Sequence, residues 1–154
     1  MNTQKITCTI TLFILLFALA ACSPSPDLEE VVNSWNDALN IGDVEAALEY
    51  LDDNAVITIV PPPAGINGIF NGKEQIRGWY EGNAALNGFN EMVDIQVKGD
   101  IVTWTSKFGM DEWRKIGVES LDVLGEGVIV DGKFQSYTVT IPPESLAKLP
   151  PPPE

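Results

Sequence analysis

Ala55-Val56-Ile57-Thr58-Ile59-Val60 is a run of small and β-branched residues that Pro61-Pro62-Pro63-Ala64-Gly65 stops at once. The run reads as a largely buried strand. The prolines cannot continue it as a central strand, so the chain must leave here as a loop over one end of the fold. Upstream, Asp27 with Glu30 three residues later marks a helix start. Leu28, Val31, Val32, Trp35, Ala38 and Leu39 then recur at helical spacing to about Asn40. Gly42-Asp43 breaks that helix and caps a second one with the stripe Val44, Ala47, Leu48 and Leu51, which Asp52-Asp53-Asn54 is expected to end.

Downstream, Phe70-Asn71-Gly72 turns into a third helix, about 73–86, with Ile76, Trp79, Tyr80 and Ala84 on one side. After Asn87-Gly88 the pattern is β. Segments 91–98 and 101–110 join at Gly99-Asp100, a hairpin signal. Segments 118–124 and 127–130 read as one bulged strand, and Asp131-Gly132 turns into the last strand, 133–141. Three helices followed by successive antiparallel strands define an α+β class. Beyond residue 141, Leu146 and Leu149 share a face of a single helical turn, and 150–153 favours an extended polyproline conformation.

The N-terminus carries an address. Apolar residues from Ile6 to Ala21 fall short of the roughly 20 that span a hydrocarbon core as a helix, so a cleaved leader fits better than an anchor helix. Leu19-Ala20-Ala21-Cys22 reads as a lipobox, which gives the otherwise partnerless Cys22 a purpose: its thiol carries diacylglycerol. The expected organisation is a leader at 1–21, the lipidated Cys22 with a short tether at 22–26, a domain at 27–141 and a Pro-rich tail at 142–154. Several acyl chains at one residue give stable anchoring where one does not. The expected location is the extracytoplasmic side of the cell envelope. Ser23 is not the Asp associated with inner-membrane retention, which favours the outer membrane in a source that has one.

Composition excludes much chemistry. The formal net charge is −13 and the leader contributes Lys5 but no acid, so the remainder is more acidic still. Its cations are scattered, which leaves no electrostatic footprint for nucleic acid and makes the lipid the sole membrane contact expected. There is no histidine, hence no Ser-His-Asp or Cys-His system. With Cys22 acylated, no thiol remains for catalysis or zinc. No metal site and no cofactor are expected.

The order helix, helix, strand, loop, helix, then curved antiparallel sheet resembles the nuclear-transport-factor-2-like (NTF2-like) superfamily, and within it the SnoaL-like branch. Three pieces carry the likeness: residues 35–43 (Trp-Asn-Asp-Ala-Leu-Asn-Ile-Gly-Asp), 70–80 (Phe-Asn-Gly-Lys-Glu-Gln-Ile-Arg-Gly-Trp-Tyr) and 130–136 (Val-Asp-Gly-Lys-Phe-Gln-Ser). The resemblance implies a cone of helices on a strongly bent sheet around a pocket open at one end, and dimerisation through the sheet as a common role. It does not imply one activity. The ketosteroid isomerase in this superfamily uses an Asp base and an oxyanion hole of Tyr and protonated Asp, a case in which carboxylates are tuned by their surroundings. The positions that resemble these are Trp35, the stretch Ile59-Val60-Pro61 and Leu124 or Gly125, none of which does that chemistry.

The remaining candidates are few. Trp35, Tyr80, Trp104, Trp113 and Arg114 are the residues expected to line or gate a pocket, each with packing or a surface ion pair as the plainer role. Alternation groups Trp104 with Val102, Ser106 and Phe108, and Thr103 with Ile101, Thr105 and Lys107, without saying which set faces the cone. Glu119 and Asp122 are the acids closest to a carboxylate base. Three positions apart, they face opposite sides of a regular strand unless a bulge intervenes. The expectation is therefore a membrane-anchored module binding a small apolar molecule in the cone. The alternatives are an isomerase- or cyclase-like enzyme with a carboxylate base, and a homodimerising assembly module.

Overall fold

A computed structural model describes residues 26–150; the lipobox with Cys22 and the last four residues lie outside them. Helix α1 (Leu28–Asn40) starts at Asp27, whose carboxylate accepts from the Glu29 N–H at 3.0 Å. Glu29 and Glu30 in the first turn complement the helix dipole. Helix α2 (Val44–Glu49) is capped in the same way, Asp43 accepting from the Ala46 N–H at 3.0 Å. It is shorter than its pattern predicts. Strand β1 (Leu51–Val60) begins at Leu51, which is fully buried opposite Phe134, and the ladder shifts register between Leu51 and Val56. Asp52-Asp53-Asn54, expected to end a helix, instead forms the irregular opening of this strand. A pairing partner distant in sequence overrides the local helical signal.

The loop after β1 returns as β2 (Ile69–Asn71), a short antiparallel strand on β1. Then come α3 (Gly72–Ala85), β3 (Phe89–Lys98), β4 (Ile101–Gly109), α4 (Asp111–Lys115), β5 (Leu121–Val130), β6 (Lys133–Thr140) and α5 (Pro143–Leu146). The strands form one mixed sheet ordered β2-β1-β6-β5-β4-β3, with β1 and β6 parallel and the other pairs antiparallel. Helices α1, α2 and α3 cover one face.

Strand β5 shows how the sequence sets the two faces. Leu121, Val123, Gly125, Gly127 and Ile129 point to the helices, while Asp122, Leu124, Glu126, Val128 and Val130 point away. The bulge expected within β5 is displaced. β5 pairs β4 without a break from Leu121 to Val128, and the irregularity lies against β6, where Gln135 is the extra residue between Phe134 and Ser136. A second irregularity leaves Val93 extra in β3. Such insertions bend a strand and increase its twist, which lets the sheet wrap the helices.

A polar clamp fixes α1 on the start of β3. Asn36 and Asn40 each donate a side-chain N–H to the Asn90 carbonyl, at 3.0 and 2.9 Å. The Asn90 backbone N–H donates to Asn40 Oδ1 at 2.8 Å, and its side chain donates to Asn36 Oδ1 at 3.0 Å. Asn36 is buried, so its polar atoms must be satisfied here or not at all.

Candidate functional site

Trp35, Tyr80 and Trp104 do lie inside the cone, but each is only 3% exposed and they occupy its centre. The Trp35 ring meets Trp104, Phe134 and Tyr137 at centroid distances of 5.9, 5.1 and 5.1 Å. Its Nε1–H donates to Tyr80 Oη at 3.1 Å, and the Tyr80 and Tyr137 hydroxyls share a hydrogen bond of 2.9 Å. These side chains, expected to line a cavity for a small apolar molecule, pack against one another at the centre of the cone. The close approach depends on glycine. A Cβ at Gly125 would sit 1.9 Å from Trp104 Cε2, and one at Gly127 would sit 2.9 Å from Phe134 Cε1.

The buried hydroxyls are not bases. Burial pushes the Tyr80 phenol far above its ordinary range, against smaller opposing effects of its bonds to Tyr137 and Trp35. Burial first, then the neighbouring Tyr80, does the same to Tyr137. Both stay protonated across the physiological range. On the inner face of β4, the buried Ser106 hydroxyl has no hydrogen-bond partner.

The acids lie elsewhere. Glu119 is exposed in the segment before β5. Asp122 is exposed on the sheet's outer face, 2.9 Å from the Lys148 ammonium, which holds its carboxyl below the usual range. Neither reaches the cone. The charged segment at Asp111, expected as a loop, is the single turn α4. Arg114 is paired with Asp111 and stacked over Phe89 at 5.2 Å, and Trp113 packs edge-on against Phe108 at 5.6 Å. Asn87 and then Arg114 hold the Asp111 carboxyl low. Arg114 is engaged within its own segment. Among the described residues no three His, Cys, Asp or Glu side chains are grouped to hold a metal, and no helix is long and apolar enough to cross a membrane.

The open surface is the other side of the sheet. Register builds it in three rows. Val60, Thr140, Leu124, Thr105 and Asp94 form one row, Thr58, Thr138, Glu126, Thr103 and Gln96 the next, and Val56, Ser136, Val128, Ile101 and Lys98 the third. The first two rows bound a shallow groove of about 490 Å³ across β3 to β6. The first two rows are largely apolar or threonine with Glu126 the charged side chain at their middle, and a further row beyond them, Asp122, Lys107 and Glu91, is charged. This surface carries its signal in the Thr103–Thr105 and Leu124–Val128 alternations, which mark a two-sided strand without saying which side is covered.

No family model matches the chain, and no curated protein matches it in sequence. Solved structures do resemble it. An NTF2-like protein of unknown function from Cytophaga hutchinsonii aligns with a TM-score of 0.62 at 17% identity, over 82% of this chain and 99% of that one. IdmH of Streptomyces antibioticus, provisionally described as a polyketide cyclase, aligns at 0.66 and 20%, over 80% and 98%. A protein from Catenulispora acidiphila with a ketosteroid isomerase-like fold, solved with trimethylamine, aligns at 0.63 and 18%, over 77% and 91%. The domain therefore has the NTF2-like cone fold that the sequence resemblance implied.

Proposed function

We propose that this chain is a lipid-anchored, non-catalytic NTF2-like module, held through Cys22 on the extracytoplasmic face of a membrane, that assembles as a homodimer through the outer face of its sheet. The outer membrane is the favoured site in a source that has one. The observation that carries the reading is the contrast between the two sides of the sheet. The inner side is packed with Trp35, Tyr80, Trp104, Phe134 and Tyr137. The outer side leaves Val60 and Leu124 exposed beside the threonines of its first two rows. A contiguous exposed patch of this kind marks an interaction surface more often than a plain solvent face. A second copy fits because the centre of the first two rows is apolar and threonine with Glu126 its one charged side chain, so the partner must match such a surface, as the same face does. Thr103 and Thr138, beside Glu126 on the same row, give a facing Glu126 hydroxyl donors.

The other readings have less support. A carboxylate base would need Glu119 or Asp122 in the cone, and an apolar ligand would have to displace the packed rings. Sedimentation velocity on the chain from Ser23 onward tests the dimer. The wild type is expected to sediment as a dimer and Leu124→Arg as a folded monomer. A wild type that stays monomeric at every concentration contradicts the proposal. Lipidation is tested separately by mass spectrometry of the cellular protein, where Cys22→Ala is expected to abolish the acyl mass and leave the leader uncleaved.

A further inference from the structure

We infer that the end of the sheet beside the tether, formed by the tips of the β3–β4 and β5–β6 hairpins, rests against the lipid bilayer, with Val97, Ile101, Val128 and Val130 as the contacting side chains. The inference rests on the lipid-anchor reading and adds an orientation to it. Pro26 fixes where the tether leaves the domain: a Cβ placed on Gly132 would lie 3.4 Å from Pro26 Cγ, so the chain exits beside the Asp131-Gly132 turn. Between the lipidated Cys22 and Pro26 stand only Ser23, Pro24 and Ser25. Four residue steps reach at most about 14 Å at full extension. That turn therefore cannot move far from the headgroups.

The Gly99-Asp100 turn is at the same end, because the Ile129 N–H donates to the Asp100 carbonyl at 2.8 Å. Around these two turns exposed valines and an isoleucine stand next to the charged Lys98, Asp100, Asp131 and Lys133. Val97 is 48% exposed, Ile101 45%, Val128 36% and Val130 40%. Ile101 and Val128 stand directly opposite one another on the outer face, and Val97, opposite the inward Val102, lies on the helix side. Next to its turn the β3–β4 hairpin thus presents an apolar side chain on each face, and Lys98 can lay its stem along them while its ammonium stays in water. Lys98 and Lys133 flank Asp100 and Asp131, so the tips are locally balanced on a strongly acidic chain. Asp27, Glu29 and Glu30 lie close by at the start of α1. The contact is accordingly apolar, and anionic lipid opposes it. The dimer face, centred on Leu124 and Glu126, leaves this end free.

The test uses the full, lipidated protein in phosphatidylcholine vesicles carrying headgroup-nitroxide lipid. Cys22 is acylated and Cys8 is removed with the leader, so a fluorophore can be placed on a single introduced thiol. Ile101→Cys and Val130→Cys labels are expected to be quenched several-fold more than an Ile66→Cys label in the loop after β1, and less so when phosphatidylglycerol replaces part of the phosphatidylcholine. Equal quenching at the three positions in protein that floats with the vesicles overturns this orientation and leaves the anchor intact. Protein that does not float, and lacks the acyl mass, overturns both.

Discussion

Gly125 shows how a single missing side chain shapes the interior. Trp104 lies where its Cβ would be, backed by Trp35, so the ring has little room to retreat. Gly125→Ala is expected to destabilise the domain by at least roughly 1–3 kcal/mol, the usual cost of overpacking, read by urea denaturation. The hydroxyl pair gives a graded comparison. Tyr80→Phe leaves the Trp35 N–H and the Tyr137 hydroxyl without partners, whereas Tyr137→Phe removes only one bond. Each orphaned buried group costs about 1–3 kcal/mol, so Tyr80→Phe is expected to be the more damaging of the two. Both phenols are raised in the folded state above the 10.0 of an exposed tyrosine. Folding therefore retains protons that the unfolded chain releases. The stabilisation is complete below about pH 10 and is lost as pH rises beyond it, by up to about 1.4 kcal/mol per pH unit for each tyrosine. Alkaline melts should show that slope, and Tyr137→Phe should make it shallower. Trp35 was legible as an inward residue from its spacing on α1. That Trp104 would cover Gly125 was not, because a glycine leaves no pattern of its own.

At the level of elements, what the sequence disclosed is what local chemistry controls. Asp27 and Asp43 cap the helices they were expected to cap, and the Asp131-Gly132 turn takes positive φ at both residues, 52° and 75°, as a two-residue hairpin requires. Errors fall where a distant partner decides. Leu51 looked like the last residue of a helical stripe and is the first of β1, because Phe134 pairs with it. Phe70 and Asn71 looked like the turn into a helix and, with Ile69, form an edge strand, because β1 offers an unpaired side. The amide clamp had no sequence signal, since Asn36 and Asn90 are separated by more than fifty positions. Asn36→Ala is expected to cost roughly 1–3 kcal/mol by leaving Asn90 under-satisfied. Hydrogen exchange should locate the loss at the start of β3, and a uniform loss across the sheet would argue against the clamp.

The molecule as a whole pairs a filled interior with an uncovered outer face. The class of fold could be read from the order of helices and strands, yet the cone's contents could not, because the packed rings come together from α1, α3, β4 and β6, far apart in sequence. Net charge sets a further expectation. Two copies of a chain that without its leader is more acidic than the formal −13 of the full sequence repel each other, and salt screens that repulsion. Dimerisation centred on the apolar and threonine rows around Leu124 should therefore tighten as ionic strength rises, whereas an interface built on ion pairs would weaken. Sedimentation equilibrium across a salt series distinguishes the two. The filled cone itself is tested most directly by hydrogen–deuterium exchange of the Trp35 indole N–H, assigned by its disappearance in Trp35→Phe. Bonded to Tyr80 and packed against the rings of Trp104, Phe134 and Tyr137, it should exchange only through global unfolding, as slowly as the core amides of β5. Exchange much faster than those amides would reveal a solvent-filled cone and contradict the packed interior.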